Sequence, residues 1–376
     1  MEELLKINHS VAWQATQKLH IDPDMFLSWT WQMNHQIRSL EQAESFFGLN
    51  DQERQGFIQN KDIFEIGITP YYAFLSARNG GHLAMQKQVL PSTKEFIDPD
   101  GLEDPLHEKN QSPVKEVVHI YPDRVAFCVA QLCPVYCRYC FRKRRDKEHG
   151  LHFHRHVIKQ GLEYIASQTS ISDVLITGGD PFLASDEAIE SLISALRDIS
   201  HVKIIRFGTR TPVALPYRLT KKFTQMLKRY HPIWVNTHFN CQEEITPDAA
   251  LALANLSDAG IPLGNQSVLL RGVNDSWDKL ASLCRQLTYH RVRPYYMFHA
   301  NLVQGTQHLR VPIKTGLELI RNLRGKISGF AIPSYILDTP SGKIPLNERN
   351  ILDIDGNDVL LESNHGEIWR EKNAWI

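Results

Sequence analysis

No sign of charge dominates this chain of 376 residues: 42 Lys and Arg stand against 42 Asp and Glu. The isoelectric point is near 7.3. A neutral surface has no long-range field to gather nucleic acid or an anionic membrane. Long hydrophobic runs are missing too. None approaches the roughly 18 residues a membrane span needs, and mean hydropathy is −0.32. The N-terminal MEELLKINHS is acidic and amphipathic, without the basic start and apolar stretch of a secretory signal. No internal repeat or low-complexity tract is found. These absences read as a soluble, cytoplasmic protein with no nucleic-acid and no membrane partner. The 42% hydrophobic and 22% charged residues can bury a sizeable core, over one large domain or two ordinary ones.

Cysteine is scarce, and its distribution is uneven. Cys128, Cys241 and Cys284 are isolated, whereas Cys133, Cys137 and Cys140 fall in one C-x3-C-x2-C run. Three thiols cannot pair among themselves, which counts against a disulfide framework. Three thiolates on one loop can hold three irons of a four-iron cluster and leave the fourth iron open to a ligand; an electron carrier would close it with a fourth cysteine. Zinc is the plainer alternative, but structural zinc normally takes four ligands.

The first hundred residues read as helix. Apolar spacing predicts helices over Met25–Arg38 and Leu40–Phe47, and Asn50 with Asp51 offers capping chemistry for the next. An irregular connector rich in Pro, Asp, Glu and Gly follows from Leu90 to Pro113. Beyond it, strands are expected at Val125–Ala130, Asp173–Ile176, Lys203–Gly208, Ile233–Thr237, Leu263–Leu269 and Arg293–Met297. Helices fill the gaps at His156–Ser167, Asp186–Ile199, Lys221–Tyr230, Pro247–Ala259 and Trp277–Thr288. Such alternation implies parallel strands with right-handed crossovers. The fold class is therefore α/β: a partial (β/α) barrel behind an N-terminal helical region. The divisions are 1–100, 101–345 and a C-terminal tail over 346–376.

Polar motifs follow nearly every strand: CPVYCRYC, TGGD, GTRTP and NTHFN, with NQS on the fifth. In a parallel barrel those loops share the face where active sites are built. Gly178 and Gly179 would let a ligand approach the backbone, and Asp180 could pair with its amino group, although a turn into the next helix also explains GGD. The basic run Arg142-Lys143-Arg144-Arg145 invites a nucleic-acid reading, against which stand the neutral charge and the lack of a second cluster. Its charges otherwise fit a solvated helix face. HFHRH over His152–His156 has no metal partner set and reads as the solvated start of a helix.

C-x3-C-x2-C with Tyr139 before the last cysteine, followed one strand later by GGD, resembles the radical S-adenosylmethionine (SAM) enzymes. The words DPLHEKNQSPV, HIYPDRV, CPVYCRYCFRKR, TGGDPFL, NTHFN, IPLGNQSVLLRGVND and RVRPYY resemble, in order, those of the lysine 2,3-aminomutase family. The resemblance implies a cluster on the three cysteines and SAM bound near Gly178, Gly179, Asp180, His238 and Gln266. It implies pyridoxal 5′-phosphate (PLP) on Lys343, in DTPSGKIPL, with Arg124 and Tyr121 beside it. Taken alone, Lys343 reads first as a solvated lysine in a Pro/Gly loop, a reading the family register reverses, and each of the other polar residues could be a satisfied structural group. Arg142 would take the substrate's α-carboxylate, a task suited to the planar guanidinium.

Two departures from relatives matter. Lysine aminomutases carry C-terminal cysteines that bind a structural zinc with one from the barrel; here no cysteine follows Cys284, and Ser276 takes the barrel position, so no zinc is expected. Lysine-specific members hold the side-chain ammonium with two aspartates, of which Asp338 is kept and the other is Asn301, a neutral amide. The expected activity is movement of an α-amino group to the β-carbon of lysine or another cationic amino acid. Its partners are a small-molecule amino acid and a reducing electron donor, and a homo-oligomer is left open. The alternatives are a relative that modifies a lysine on a translation factor and, from other classes, an iron–sulfur electron carrier or a nucleic-acid-binding module.

Overall fold

Period-two burial builds the central sheet. Val174 and Ile176, Ile205 and Phe207, and Ile233 and Val235 are fully buried, as expected where helices cover one face of each strand. The computed structural model describes residues 10–60, 64–78, 82–143, 152–355, 357–363 and 366–374. Nine strands join in sequence order. They are β1 (Val117–Tyr121), β2 (Arg124–Ala130), β3 (Asp173–Gly178), β4 (Ile204–Gly208), β5 (Ile233–Thr237), β6 (Leu263–Leu269), β7 (Val292–His299), β8 (Ser334–Thr339) and β9 (Gly342–Pro345). Each step from β2 to β8 is parallel. The end strands β1 and β9 turn back antiparallel.

The result is a nearly closed, mostly parallel barrel flanked by helices. Its two edges meet through one side chain, where the Tyr121 hydroxyl accepts the Lys343 N–H at 2.7 Å. Crossover helices begin on capping side chains: Ser185 accepts from Ala188 N–H, Thr220 from Phe223 N–H and Thr246 from Ala249 N–H. Helix Asp186–Arg197 buries Ile189, Leu192, Ile193 and Leu196, one face of a 3.6-residue repeat.

The expected helix over Met25–Arg38 is divided. Ser28 ends Pro23–Leu27 and caps Trp29–Asn34, its hydroxyl accepting from Trp31 N–H. Serine bonds the backbone outside helical geometry and so favours such a break. The chain then leaves helix altogether, and Ile37 bridges Ile68, which bridges Val135. Helix Leu40–Glu44 is shorter than expected, behind a capping box of Ser39 and Gln42. Helical and barrel residues form one apolar cluster. Asp248, buried at a crossover helix, accepts from the N–H groups of Val11 (2.7 Å) and Ala12 (3.1 Å).

After β9 the chain forms an antiparallel sheet of β10 (Ile351–Asp355), β11 (Asp358–Glu362) and β12 (Ile368–Lys372). Fully buried Arg310 ties it to the barrel through Glu371 at 2.6 Å. Among the described residues no helix is long and apolar enough to cross a membrane.

Candidate active site

The cysteine loop follows β2, and every spacer residue in it is anchored. Gln36 Nε2 donates to the Cys133 and Pro134 carbonyls, both at 2.9 Å. Val135 bridges Ile68, and Tyr136 N–H reaches the Gly67 carbonyl at 3.0 Å. Arg138 is completely buried and pairs with Glu95 at 2.6 Å, donating also to Asn60 and the Glu65 carbonyl. Burial would push the Glu95 carboxyl up, but the charge and hydrogen bonds of Arg138 outweigh it and hold the group below the usual range. With their neighbours fixed, Cys133, Cys137 and Cys140 stay only partly buried.

The glycines expected to admit a ligand admit the chain itself. At Gly178 (φ +116°) a Cβ would lie 2.2 Å from the Ala130 carbonyl oxygen, and at Gly179 one would lie 2.6 Å from that of Leu132. Gly179 N–H donates to Ala130 (2.6 Å) and Asp180 N–H to Leu132 (2.7 Å), so GGD braces the start of the cysteine loop. The Asp180 carboxylate turns inward as well. Oδ1 accepts from Thr209 Oγ1 (2.7 Å) and Phe182 N–H (3.1 Å), and Oδ2 from Arg210 N–H (2.7 Å). Burial pushes its carboxyl up despite these bonds. The expected contact with a ligand's amino group gives way here to a brace between two loops.

His238 and Gln266 meet through the backbone. His238 Nδ1 donates to the Gln266 carbonyl at 2.6 Å, which leaves Nε2 to accept from Tyr139 Oη at 2.7 Å. Asn240 Nδ2 donates to the same hydroxyl at 2.6 Å. Burial and then the Arg210 charge push the imidazole down to about 3, against the raising effect of the Gln266 bond. His238 is therefore a neutral strut from the loop after β5 to the residue before Cys140.

At the barrel's seam, Gly342 has φ +107°, and a Cβ there would lie 2.7 Å from Tyr121 Oη. Arg124 lies 3.7 Å from the centroid of the Tyr121 ring and pairs with Asp123 at 2.8 Å. Lys343 and Asp338 face each other across β8 and β9. Nζ lies 3.2 and 3.0 Å from the two carboxylate oxygens. The carboxylate expected to hold a substrate ammonium thus holds that of Lys343. Asn301 does not face an ammonium through its amide nitrogen, which donates to the Asp338 carbonyl at 3.0 Å. Arg142 is forked on Glu108, with Nε at 3.1 Å from both oxygens and Nη2 at 2.6 Å from Oε1.

A model of the radical SAM superfamily matches residues 128–284. L-lysine 2,3-aminomutase of Fusobacterium nucleatum is 42% identical over 345 residues, covering 90% of this chain and 81% of that one. The chain belongs to the lysine 2,3-aminomutase family of radical SAM enzymes. Its relatives include L-lysine 2,3-aminomutase of Clostridium subterminale, 40% identical over 90% of this chain and 82% of that one. Glutamate 2,3-aminomutase of Clostridioides difficile is 35% identical over 91% and 81%.

Membership in the radical SAM enzymes implies a four-iron cluster and SAM, and the donor set fits them. The loop offers three partly buried thiols, the number a four-iron cluster with one open iron takes, although among the described residues no three His, Cys, Asp or Glu side chains already stand close enough to hold a metal ion. Beside the loop, the buried Nε of Arg210 has no hydrogen-bond partner among the described residues. At the seam, Lys343 with its Gly342 cradle and the Arg124 cation fits an aldehyde cofactor bearing a phosphate.

Three residues of this family site carried no assignment in the sequence. Arg210 lies in GTRTP and Glu108 in DPLHEKNQSPV, two stretches conspicuous only as whole words. Glu244 lies in a three-residue 3-10 turn outside any motif, and its side-chain partners Tyr72, Gln88 and Arg210 are distant in the chain. Two further expectations are corrected. Lys143 is 3% exposed and not on a solvated helix, its Nζ donating to the Arg138 carbonyl. His152 is half-buried, and its Nδ1 accepts from Gln131 N–H at 3.3 Å. Arg144 and Arg145 lie outside the described residues.

Proposed function

We propose that this enzyme moves the α-amino group of lysine, or of a closely related cationic amino acid, to the β-carbon, using SAM and PLP. When bound, the cluster with SAM supplies a hydrogen-abstracting carbon radical, and PLP supplies the π-system that carries the migrating nitrogen. Cys133, Cys137 and Cys140 would hold three irons. Gly178, Gly179, His238 and Gln266 would line the SAM side, with Asp180 bracing that wall from within. Lys343 would carry PLP, with Tyr121 and Arg124 toward its phosphate. Arg142, oriented by Glu108, would fix the substrate's α-carboxylate, for which a planar fork is suited. The electron would come from a low-potential reductant.

The pairing of Lys343 with Asp338 carries the choice of a cationic substrate. Both oxygens of Asp338 accept from a primary ammonium at ordinary distances, so this carboxylate is built to hold one. Once the Lys343 nitrogen is committed to PLP, a carboxylate only 16% exposed would lose its cation, and a substrate ammonium restores the balance. Asn301 supports this by pinning the Asp338 backbone.

Competition among lysine, arginine, ornithine, glutamate and leucine tests the reading, on PLP-saturated wild type and Asp338→Asn. The variant should lose about 2–5 kcal/mol of binding for its cationic substrate, the cost of unpairing a buried charge, and gain nothing for leucine. Turnover of glutamate with none of the cationic amino acids would overturn the assignment.

A further inference from the structure

We propose that Arg210 sets the reduction potential of the cluster by donating a hydrogen bond to the Cys137 sulfur. The inference rests on the reading that Cys133, Cys137 and Cys140 hold that cluster. Arg210 Nη1 lies 2.6 Å from Cys137 Sγ, and the side chain is 7% exposed. Its aim is fixed from behind. Nη2 donates to Gln88 Oε1 (2.7 Å) and Glu244 Oε1 (2.8 Å), and the Arg210 backbone N–H is held by Asp180. Glu244 has no exposed surface. It is fixed in turn by the Tyr72 hydroxyl (2.8 Å) and the N–H groups of Asn240 (2.7 Å) and Cys241 (3.2 Å). A guanidinium held this firmly cannot swing away when the electrical state of its neighbour changes.

Its effect has a definite sign. One electron arrives from an external one-electron reductant, the cluster core passes from a 2+ to a 1+ charge, and no bond is made or broken. The reduced form is more negative, so a cation donating N–H to a ligand sulfur stabilises it more than the oxidised form. Hydrogen bonds to the sulfurs and net local charge are the levers by which proteins set such potentials. Burial strengthens the interaction, because the local dielectric is low. Glu244 opposes the effect from the far side of the guanidinium. Arg210 is thus a positioning and tuning residue, acting on the cluster through Cys137.

The test is an electron-spin-resonance redox titration of anaerobically reconstituted holoprotein, with dithionite as the reductant and iron content measured first. Arg210→Gln should keep about four irons and be about tenfold less reduced at a fixed potential, a midpoint about 59 mV lower for one electron. Glu244→Gln should move the midpoint upward. An iron-replete Arg210→Gln with an unchanged or raised midpoint would overturn the proposal. If Arg210→Gln loses its iron, Glu244→Gln decides: a raised midpoint supports tuning, and an unchanged one overturns it. Loss of iron from both folded variants would make the network a mere clamp and also overturn it. Failure of the wild type to take up a four-iron cluster would instead refute the underlying reading of the three cysteines.

Discussion

The cysteine loop and the lysine hairpin are built by opposite means. Around the cysteines the polar groups are buried and multiply paired. Arg138 has no exposed surface and Tyr139 is 7% exposed, and the clamps come from Gln36, Asn60, Thr69 and Glu95 in the helical region. Around Lys343 the side chains are open, with Lys343 31% and Arg124 37% exposed. Each is held by a cation–carboxylate pair that another ligand can replace. The contrast suggests that the loop's geometry is fixed before anything binds, at a cost in buried charge, whereas the hairpin exchanges one partner for another. Preorganisation by surrounding groups is what a reactive centre demands.

The sharpest way to break that contrast is to unpair one charge at each end. Glu95→Ala, which strands the buried Arg138 cation, should destabilise the protein by about 3–5 kcal/mol in urea unfolding. Comparable stability of variant and wild type would show that the loop is not clamped as described.

Acid should reach the same end of the site. His238 has a pKa lowered to about 3 from the usual 6.5, so between those values the unfolded chain binds the proton and the folded one does not. Its contribution is complete above pH 6.5 and is lost as pH falls toward about 3. At pH 5.5 the loss from this group is on the order of 1 kcal/mol. His238→Asn, which takes no proton, should show a shallower fall of unfolding free energy between pH 7 and about 4. Parallel profiles would remove His238 as the buried neutral strut.

The smallest effect belongs to the hairpin. Asp338→Asn breaks a partly exposed pair, and its stability cost should stay below about 1 kcal/mol, measured by the same urea titration. A cost as large as that of Glu95→Ala would erase the difference between the two ends.

The barrel was legible because its strands are short apolar runs separated by strongly periodic helices, such as Asp186–Arg197. β1, β8 and β9 escaped because they are end or near-end strands, and β9 has four residues, of which the first is Gly342 and the last Pro345. The cysteine run was legible because its three residues lie within one short loop. The network beneath them was not, since Gln88, Arg210 and Glu244 are brought together from positions up to 156 residues apart. Motif words also concealed what the residues do. GGD reads as a ligand cradle, yet its glycines admit the backbone of Ala130 and Leu132. Asp338 reads as a substrate ligand, yet its first partner is the lysine on the neighbouring strand. Periodicity reports local geometry, and pairing across strands does not enter it.

Migration of nitrogen between adjacent carbons is followed directly by isotopic labelling. Lysine carrying nitrogen-15 on its α-amino group is incubated anaerobically with reconstituted protein, SAM, PLP and dithionite, and the product is read by nuclear magnetic resonance. The label should appear on the β-carbon with the wild type and stay on the α-carbon with Cys137→Ala. A label that stays on the α-carbon of lysine, arginine and ornithine alike, in protein replete with iron and pyridoxal, would contradict the proposed amino-group migration.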